Sequence, residues 1–294
     1  MLACCAATAA AAQPLQVEHA QGSLTLQGPP AKVIVLDMAA LDTLDALGVP
    51  VAGAPTTPLP GRLKQYNGDG YLRAGTLFEP NYEVIHAAKP DLVIVGGRSA
   101  AKYAEVARIA PTIDLTADTA DLLGSLRRNT ETLGRLFGKQ DLAQARLKAL
   151  DESIETLRKK AQGAGTGLIV LTTGGKMSAY GPGSRFGVLH DAFGIAPADA
   201  KLNTSNHGQA ISNEFILKTN PDWLFVIDRD AAIGREGASA QRLLDNELVR
   251  KTRAWQNGRV VYLDAMNWYL LGSAGLTAMQ QNVEQLIRAF DDKS

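Results

Sequence analysis

Two periods of apolar residues alternate along this chain. Compact apolar runs at 33–36, 92–95, 168–172, 223–227 and 260–263 are the length of buried strands. Before the first of them, Val17 and the Leu24/Leu26 alternation predict two short strands. They are set apart by Gln21-Gly22 and Gly28-Pro29-Pro30. Between the runs the spacing turns helical. Leu41, Leu44 and Leu47 share one face, with Gly48 as the stop. Helices are also predicted near 82–88, 101–109, 186–193, 213–218, 240–251 and 276–290, while 49–80 reads as a Pro/Gly-rich loop.

The middle of the chain is helical for longer. Leu122, Leu126, Leu133 and Leu136 mark one helix, ended by Gly138. Leu142, Leu147, Leu150, Ile154, Leu157 and Ala161 mark a second over 140–162, about 33 Å long at 1.5 Å per residue. Strands alternating with helices on both sides of it predict an α/β protein with parallel-type sheets. The expected organisation is an N-terminal lobe at 13–139, an interlobe helix at 140–163 and a C-terminal lobe at 164–294.

Composition narrows the class. The 294 residues are 46% hydrophobic and 20% charged, ordinary values for a globular protein. Thirty basic and 30 acidic residues cancel to a formal charge of zero, which disfavours a general nucleic-acid binder. Residues 1–12, MLACCAATAAAA, resemble the apolar region and small-residue cleavage site of a secretory leader. The chain is therefore expected to be exported to the periplasm, with lipidation at Cys4 left open. Both cysteines, Cys4 and Cys5, fall in that leader, so the mature chain is expected to need no disulfide.

The sequence contains no GxSxG, HExxH, CxxC or P-loop pattern. It does contain a weak internal repeat. Residues 83–98 can be laid on 214–229 without a gap, matching Glu83 with Glu214, Pro90 with Pro221, Asp91 with Asp222 and Arg98 with Arg229. A helix, a Pro-Asp turn and a buried strand are a common connection. An arginine after each strand is not part of that connection. In open α/β sheets ligands bind beyond the carboxyl ends of strands, where Arg98 and Arg229 fall. Arg185 adds a third cation in the glycine-rich stretch 181–187. Of the four histidines only His207 lies in a polar loop; His86 and His190 fall in helical patterns and His19 in a strand.

The segments TLFEPNYEVIHAAKPDLVIVGGR, YGPGSRFGVLHD, NHGQAISNEFILKTNPDWLFVIDR and LLDNELVRKTRAWQNGRVVYLDAMNWYL carry a family likeness. The chain resembles the periplasmic iron–siderophore binding proteins of ABC importers, closest to the ferric-catecholate, enterobactin-type members. The resemblance implies the class III periplasmic binding protein fold: two Rossmann-like lobes joined by a single long helix, with little hinge closure. It implies no catalytic residue and no intrinsic cofactor, the ligand being ferric iron as a siderophore complex. Arg98, Arg185 and Arg229 would bind the siderophore. His207 and Tyr269 would ligate Fe(III) when a tetradentate siderophore leaves two positions open. Glu83 and Glu214 would dock onto the inner-membrane permease, with the protein acting as a monomer. Relatives often carry a further aromatic where this chain has Asn267, which implies a more polar pocket wall. Haem, cobalamin or a hydroxamate complex are the alternative cargoes, and an α/β enzyme acting on an anionic metabolite is the alternative of another class.

Overall fold

A computed structural model describes residues 14–57, 59, 61–235 and 239–292. The leader and its Cys4 lie outside the described residues. The strands are β1 Leu15–His19, β2 Gly22–Leu26, β3 Val33–Val35, β4 Gly53–Ala54, β5 Leu72–Arg73, β6 Leu92–Val95 and β7 Thr112–Asp114. They continue with β8 Thr166–Thr173, β9 Lys176–Tyr180, β10 Ala196–Pro197, β11 Gln209–Ile211, β12 Trp223–Asp228 and β13 Val260–Tyr262. The helices are α1 Met38–Ala46, α2 Tyr82–Ala88, α3 Tyr103–Ala107, α4 Leu122–Leu136, α5 Gln140–Ala161 and α6 Val188–Asp191. They end with α7 Asn213–Thr219, α8 Arg229–Ala232, α9 Ala240–Leu244, α10 Arg253–Gln256 and α11 Leu276–Asp292.

β1 and β2 form an antiparallel hairpin. The first large sheet is parallel throughout, in the order β5-β4-β3-β6-β7. Chain order reverses between β4 and β6, on either side of β3, so a crevice opens beyond the ends of β3 and β6. The second sheet runs β11-β9-β8-β12-β13, with β10 beside β8, and is mixed: β9 is antiparallel to both β8 and β11. Gly174 and Gly175, at φ of 54° and 75°, turn β8 into β9. That Gly-Gly pair is a hairpin signal the apolar runs alone do not reveal.

Ala143, Leu147, Leu150, Ile154, Leu157 and Ala161 form the buried stripe of α5. Its first member is Ala143 rather than Leu142, which is 38% exposed. α5 packs against α4 and α11, and α11 also packs against α1. One apolar core runs through these helices and joins Val35 and Ile94 of the first sheet to Ile169 and Phe225 of the second. A core shared in this way resists bending at a hinge.

Several elements differ from expectation for local reasons. The helix expected at 240–251 stops at Leu244, because Asn246 Oδ1 accepts the backbone N–H groups of Leu248 and Val249 and so competes with the helical ladder. The helix expected at 101–109 begins as a 3₁₀ segment, Gly97–Lys102. The one expected at 186–193 is a single turn, tied back by Gly183 N–H donating to Asp191 Oδ2. Residues 49–80 hold a 3₁₀ segment, Gly61–Asn67, and the two-residue strands β4 and β5, too short to show a period.

Candidate functional site

Each of the three arginines follows a turn that aims it at the same place. After β6, Gly96 packs so tightly on Asp37 that a Cβ there would lie 2.9 Å from its Cγ. Gly97, at φ 52°, then starts the 3₁₀ segment that carries Arg98. Arg229 opens α8 directly after β12, with Asp228 Oδ1 accepting the Ala231 N–H as the cap. Arg185 comes from loop 181–187, held by Ser184 Oγ donating to Gly181 O at 2.6 Å.

They converge on Tyr269, in the π-helical turn Met266–Leu270. Arg98 donates from Nη1 to Leu270 O and from Nη2 to Tyr269 O, both at 3.0 Å. Arg185 Nη2 donates to the same Tyr269 carbonyl at 2.7 Å. Arg229 Nε donates to the Tyr269 hydroxyl at 2.6 Å, and its Nη1 to Thr173 Oγ1 at 3.0 Å. All three guanidinium carbons lie over the Tyr269 ring, at 5.5, 4.6 and 5.3 Å from its centre for Arg98, Arg185 and Arg229. Among the described residues none of the three arginines pairs with a carboxylate.

The electrostatics follow. Burial alone raises the Tyr269 phenol, but the Arg229 hydrogen bond and the three positive charges outweigh it, so the group is more acidic than an ordinary tyrosine. Burial, then the charge of Arg98, lowers Arg185, which remains a cation because guanidinium starts so high. Asp37 sits beside them, capping α1 through its Oδ2, which accepts the Ala40 N–H at 2.8 Å. Burial lifts its carboxyl to about 6, against the pull of Ala40 and Arg98.

A cleft of about 550 Å³ has Asp37, Arg98, Arg185, His207 and Tyr269 in its walls, whereas Arg229 is not part of its lining and reaches it through the Tyr269 hydroxyl. His207 is exposed, on a loop that Gly208 lets pass close to Tyr180 and that Ser205 Oγ closes by donating to Gly208 O. His207 and Tyr269 thus reach one space from different loops. Among the described residues no cluster of three or more His, Cys, Asp or Glu could hold a metal ion. Glu83 and Glu214 lie outside this cleft, exposed in the first turns of α2 and α7.

Asn267 corrects an expectation. It is 1% exposed and faces away from the cleft wall into a knot behind it. Its Oδ1 accepts from Arg62 Nη1, and its Nδ2 donates to Gln281 Oε1, both at 3.0 Å. Arg62 also ion-pairs with the fully buried Asp42, donating from Nε at 2.8 Å and from Nη2. Asp42 Oδ2 in turn accepts the Ala278 N–H at 3.0 Å. The polar residue is consumed in holding the Tyr269 turn and α11 to the first lobe. Arg62, Asp42, Asp37 and Thr173 had no signal in the sequence, because what marks each is a partner distant in the chain.

With this geometry in view, comparison with known proteins is direct. The profile of the family described as periplasmic binding protein matches residues 33–266. The petrobactin-binding protein of Bacillus subtilis is 44% identical over 260 residues, 87% of this chain and 81% of that protein. Its crystal structure superposes with a TM-score of 0.91, covering 95% of this chain and 99% of that one at 40% identity. The ferric-anguibactin-binding protein of Vibrio anguillarum is 34% identical over 94% of this chain and 88% of its own. The periplasmic catecholate-siderophore binding protein of Vibrio cholerae superposes with a TM-score of 0.88 at 30% identity, covering 95% of this chain and all of that one, 100%.

Proposed function

The chain belongs to the periplasmic binding protein family, whose members bind and do not catalyse, and from that premise we propose that it captures a ferric catecholate siderophore in the cleft and delivers it to an inner-membrane ABC permease. The observation that carries the reading is the trio of arginines gathered on Tyr269 without a carboxylate partner, Arg98 and Arg185 in the cleft wall and Arg229 on the Tyr269 hydroxyl. A ferric ion held by six catecholate oxygens is a trianion, and three guanidiniums match it in charge and in donor geometry. The similar periplasmic catecholate-siderophore binding protein of Vibrio cholerae supports an extracytoplasmic site of action, here the periplasm. Two lobes at 13–139 and 164–294, bridged by α5, place the cleft between them, and the protein acts as a monomer.

His207 and Tyr269 complete the iron sphere when the siderophore is tetradentate. Arg229 supports this by favouring the phenolate form of Tyr269, the form a hard ferric ion takes. Glu83 and Glu214, at matching places on α2 and α7, present one acidic knob per lobe to basic residues of the permease.

Tryptophan fluorescence tests the reading, since Trp268 adjoins Tyr269 in the same turn. A ferric tris-catecholate should quench it saturably. A tetradentate ferric catecholate should also gain a phenolate-to-iron absorption that Tyr269→Phe removes. No saturable quenching by either complex would refute the function, and an absorption unchanged in Tyr269→Phe would refute the ligation alone.

A further inference from the structure

Phe78 is the most exposed large hydrophobic side chain among the described residues, at 60%, against 38% for Leu142 and Ile233. It stands in the cleft lining, between β5 and α2. Its loop is closed rather than slack. Thr76 Oγ1 accepts the backbone N–H groups of Phe78 at 3.2 Å and Glu79 at 2.9 Å. Thr76 N–H donates to Glu79 O at 2.9 Å, and Asn81 N–H to Ala74 O at 2.8 Å. Gly75, at φ 101°, runs so near Glu79 O and Asn81 N that no side chain fits there. The backbone therefore presents the ring to the cleft in a defined place.

Charge alone gives no reason for an exposed ring. A trianion is satisfied by the arginines, and an aromatic side chain in water gains nothing until something covers it. Leu115, Ala117 and Leu122 line the same cleft as Phe78, so the cleft wall is apolar as well as cationic. A ligand that satisfies both parts is anionic at its metal-bound oxygens and flat and apolar elsewhere. Aryl rings bearing the donor oxygens have that shape.

We propose that Phe78 is a specificity residue whose ring stacks on an aryl ring of the bound chelate, selecting siderophores whose donors are carried on aromatic rings. This rests on the siderophore-binding reading above and adds a residue and a preference to it. Stacked or edge-on ring pairs favour aromatic partners beyond the area they bury.

The test compares Phe78→Leu and Phe78→Tyr with the wild-type protein, each titrated with a ferric tris-catecholate by tryptophan quenching. Thermal unfolding is expected to be unchanged, because an exposed ring contributes little to the core. Phe78→Leu should weaken binding by about 3- to 10-fold, and Phe78→Tyr should bind like wild type. Leucine binding as tightly as phenylalanine would overturn the proposal. So would a Phe78→Leu variant that loses only uptake in cells, since that would place the ring at the permease. A wild-type protein that fails to bind the complex would refute the siderophore reading itself, and this inference with it.

Discussion

Arginine is used in two ways on opposite sides of one short turn. Behind Met266–Leu270, Arg62 is joined to buried Asp42 and to Asn267 and Gln281, so its charge is cancelled inside the fold. In front of it, Arg98, Arg185 and Arg229 are held by carbonyls, hydroxyls and the Tyr269 and Phe186 rings, with no carboxylate among the described residues. The first arrangement neutralises its cation, whereas the second holds each guanidinium by one or two hydrogen bonds and leaves its positive charges uncompensated. A fold that wanted only rigidity would repeat the first. The second keeps the cluster ordered while leaving three charges for a ligand to neutralise.

The sharpest way to break the comparison is to remove the carboxylate from the knot. Asp42→Ala leaves the Arg62 cation half-buried and unpaired, and should cost about 3 to 5 kcal/mol of stability in denaturant unfolding. Any of the cleft arginines should behave in the opposite sense. Arg98→Ala, Arg185→Ala or Arg229→Ala should each weaken ligand binding by about 1.5 to 3 kcal/mol, the scale of a charge-assisted hydrogen bond. Stability should move by no more than about 0.5 kcal/mol. Unfolding curves and titrations on the same four variants would show whether the two clusters divide in this way.

The smallest effect comes from Asp37, the acid beside the cleft arginines. Its folded carboxyl is lifted to about 6, above an ordinary unfolded value near 4, so the folded state holds the proton more tightly. This group therefore adds stability as pH falls from 7 toward 4, and that gain disappears as pH rises through 6. The groups facing it are Arg98, which opposes the shift, and Asp114, which adds to it. A bound trianion would favour the protonated form further, so affinity should rise below pH 6 by about 1 kcal/mol. Asp37→Asn keeps the helix cap and should flatten that rise.

How much of this was legible in the sequence depends on the reach of each interaction. The stripe of α5 and the runs of β8 and β12 were readable because period and burial are local properties. The repeat that singled out Arg98 and Arg229 has a structural cause. Lys89 and Asn220, at equivalent places, end α2 and α7 in the left-handed region at φ 47° and 45°. Asp91 Oδ2 accepts the Lys32 N–H just as Asp222 Oδ2 accepts the Thr166 N–H, each anchoring the start of a neighbouring strand. Two strands of like construction thus deliver an arginine to like positions. The Asp42–Arg62–Asn267 knot joins residues far apart in the chain by side-chain geometry, and no spacing rule reports it. The resemblance puts Asn267 in the pocket wall because relatives often carry an aromatic there; within the π-helical turn its side chain instead meets Arg62 and Gln281.

The central claim is that three uncompensated charges hold a trianionic cargo. It is tested most directly by titrating the variant carrying Arg98→Ala, Arg185→Ala and Arg229→Ala together with a ferric tris-catecholate, after confirming that it unfolds as wild type does. Loss of at least about 1,000-fold in affinity with the fold intact is the expected result, since three losses of about 1.5 kcal/mol or more exceed the roughly 4.1 kcal/mol that 1,000-fold represents. Wild-type affinity in that folded variant would contradict it.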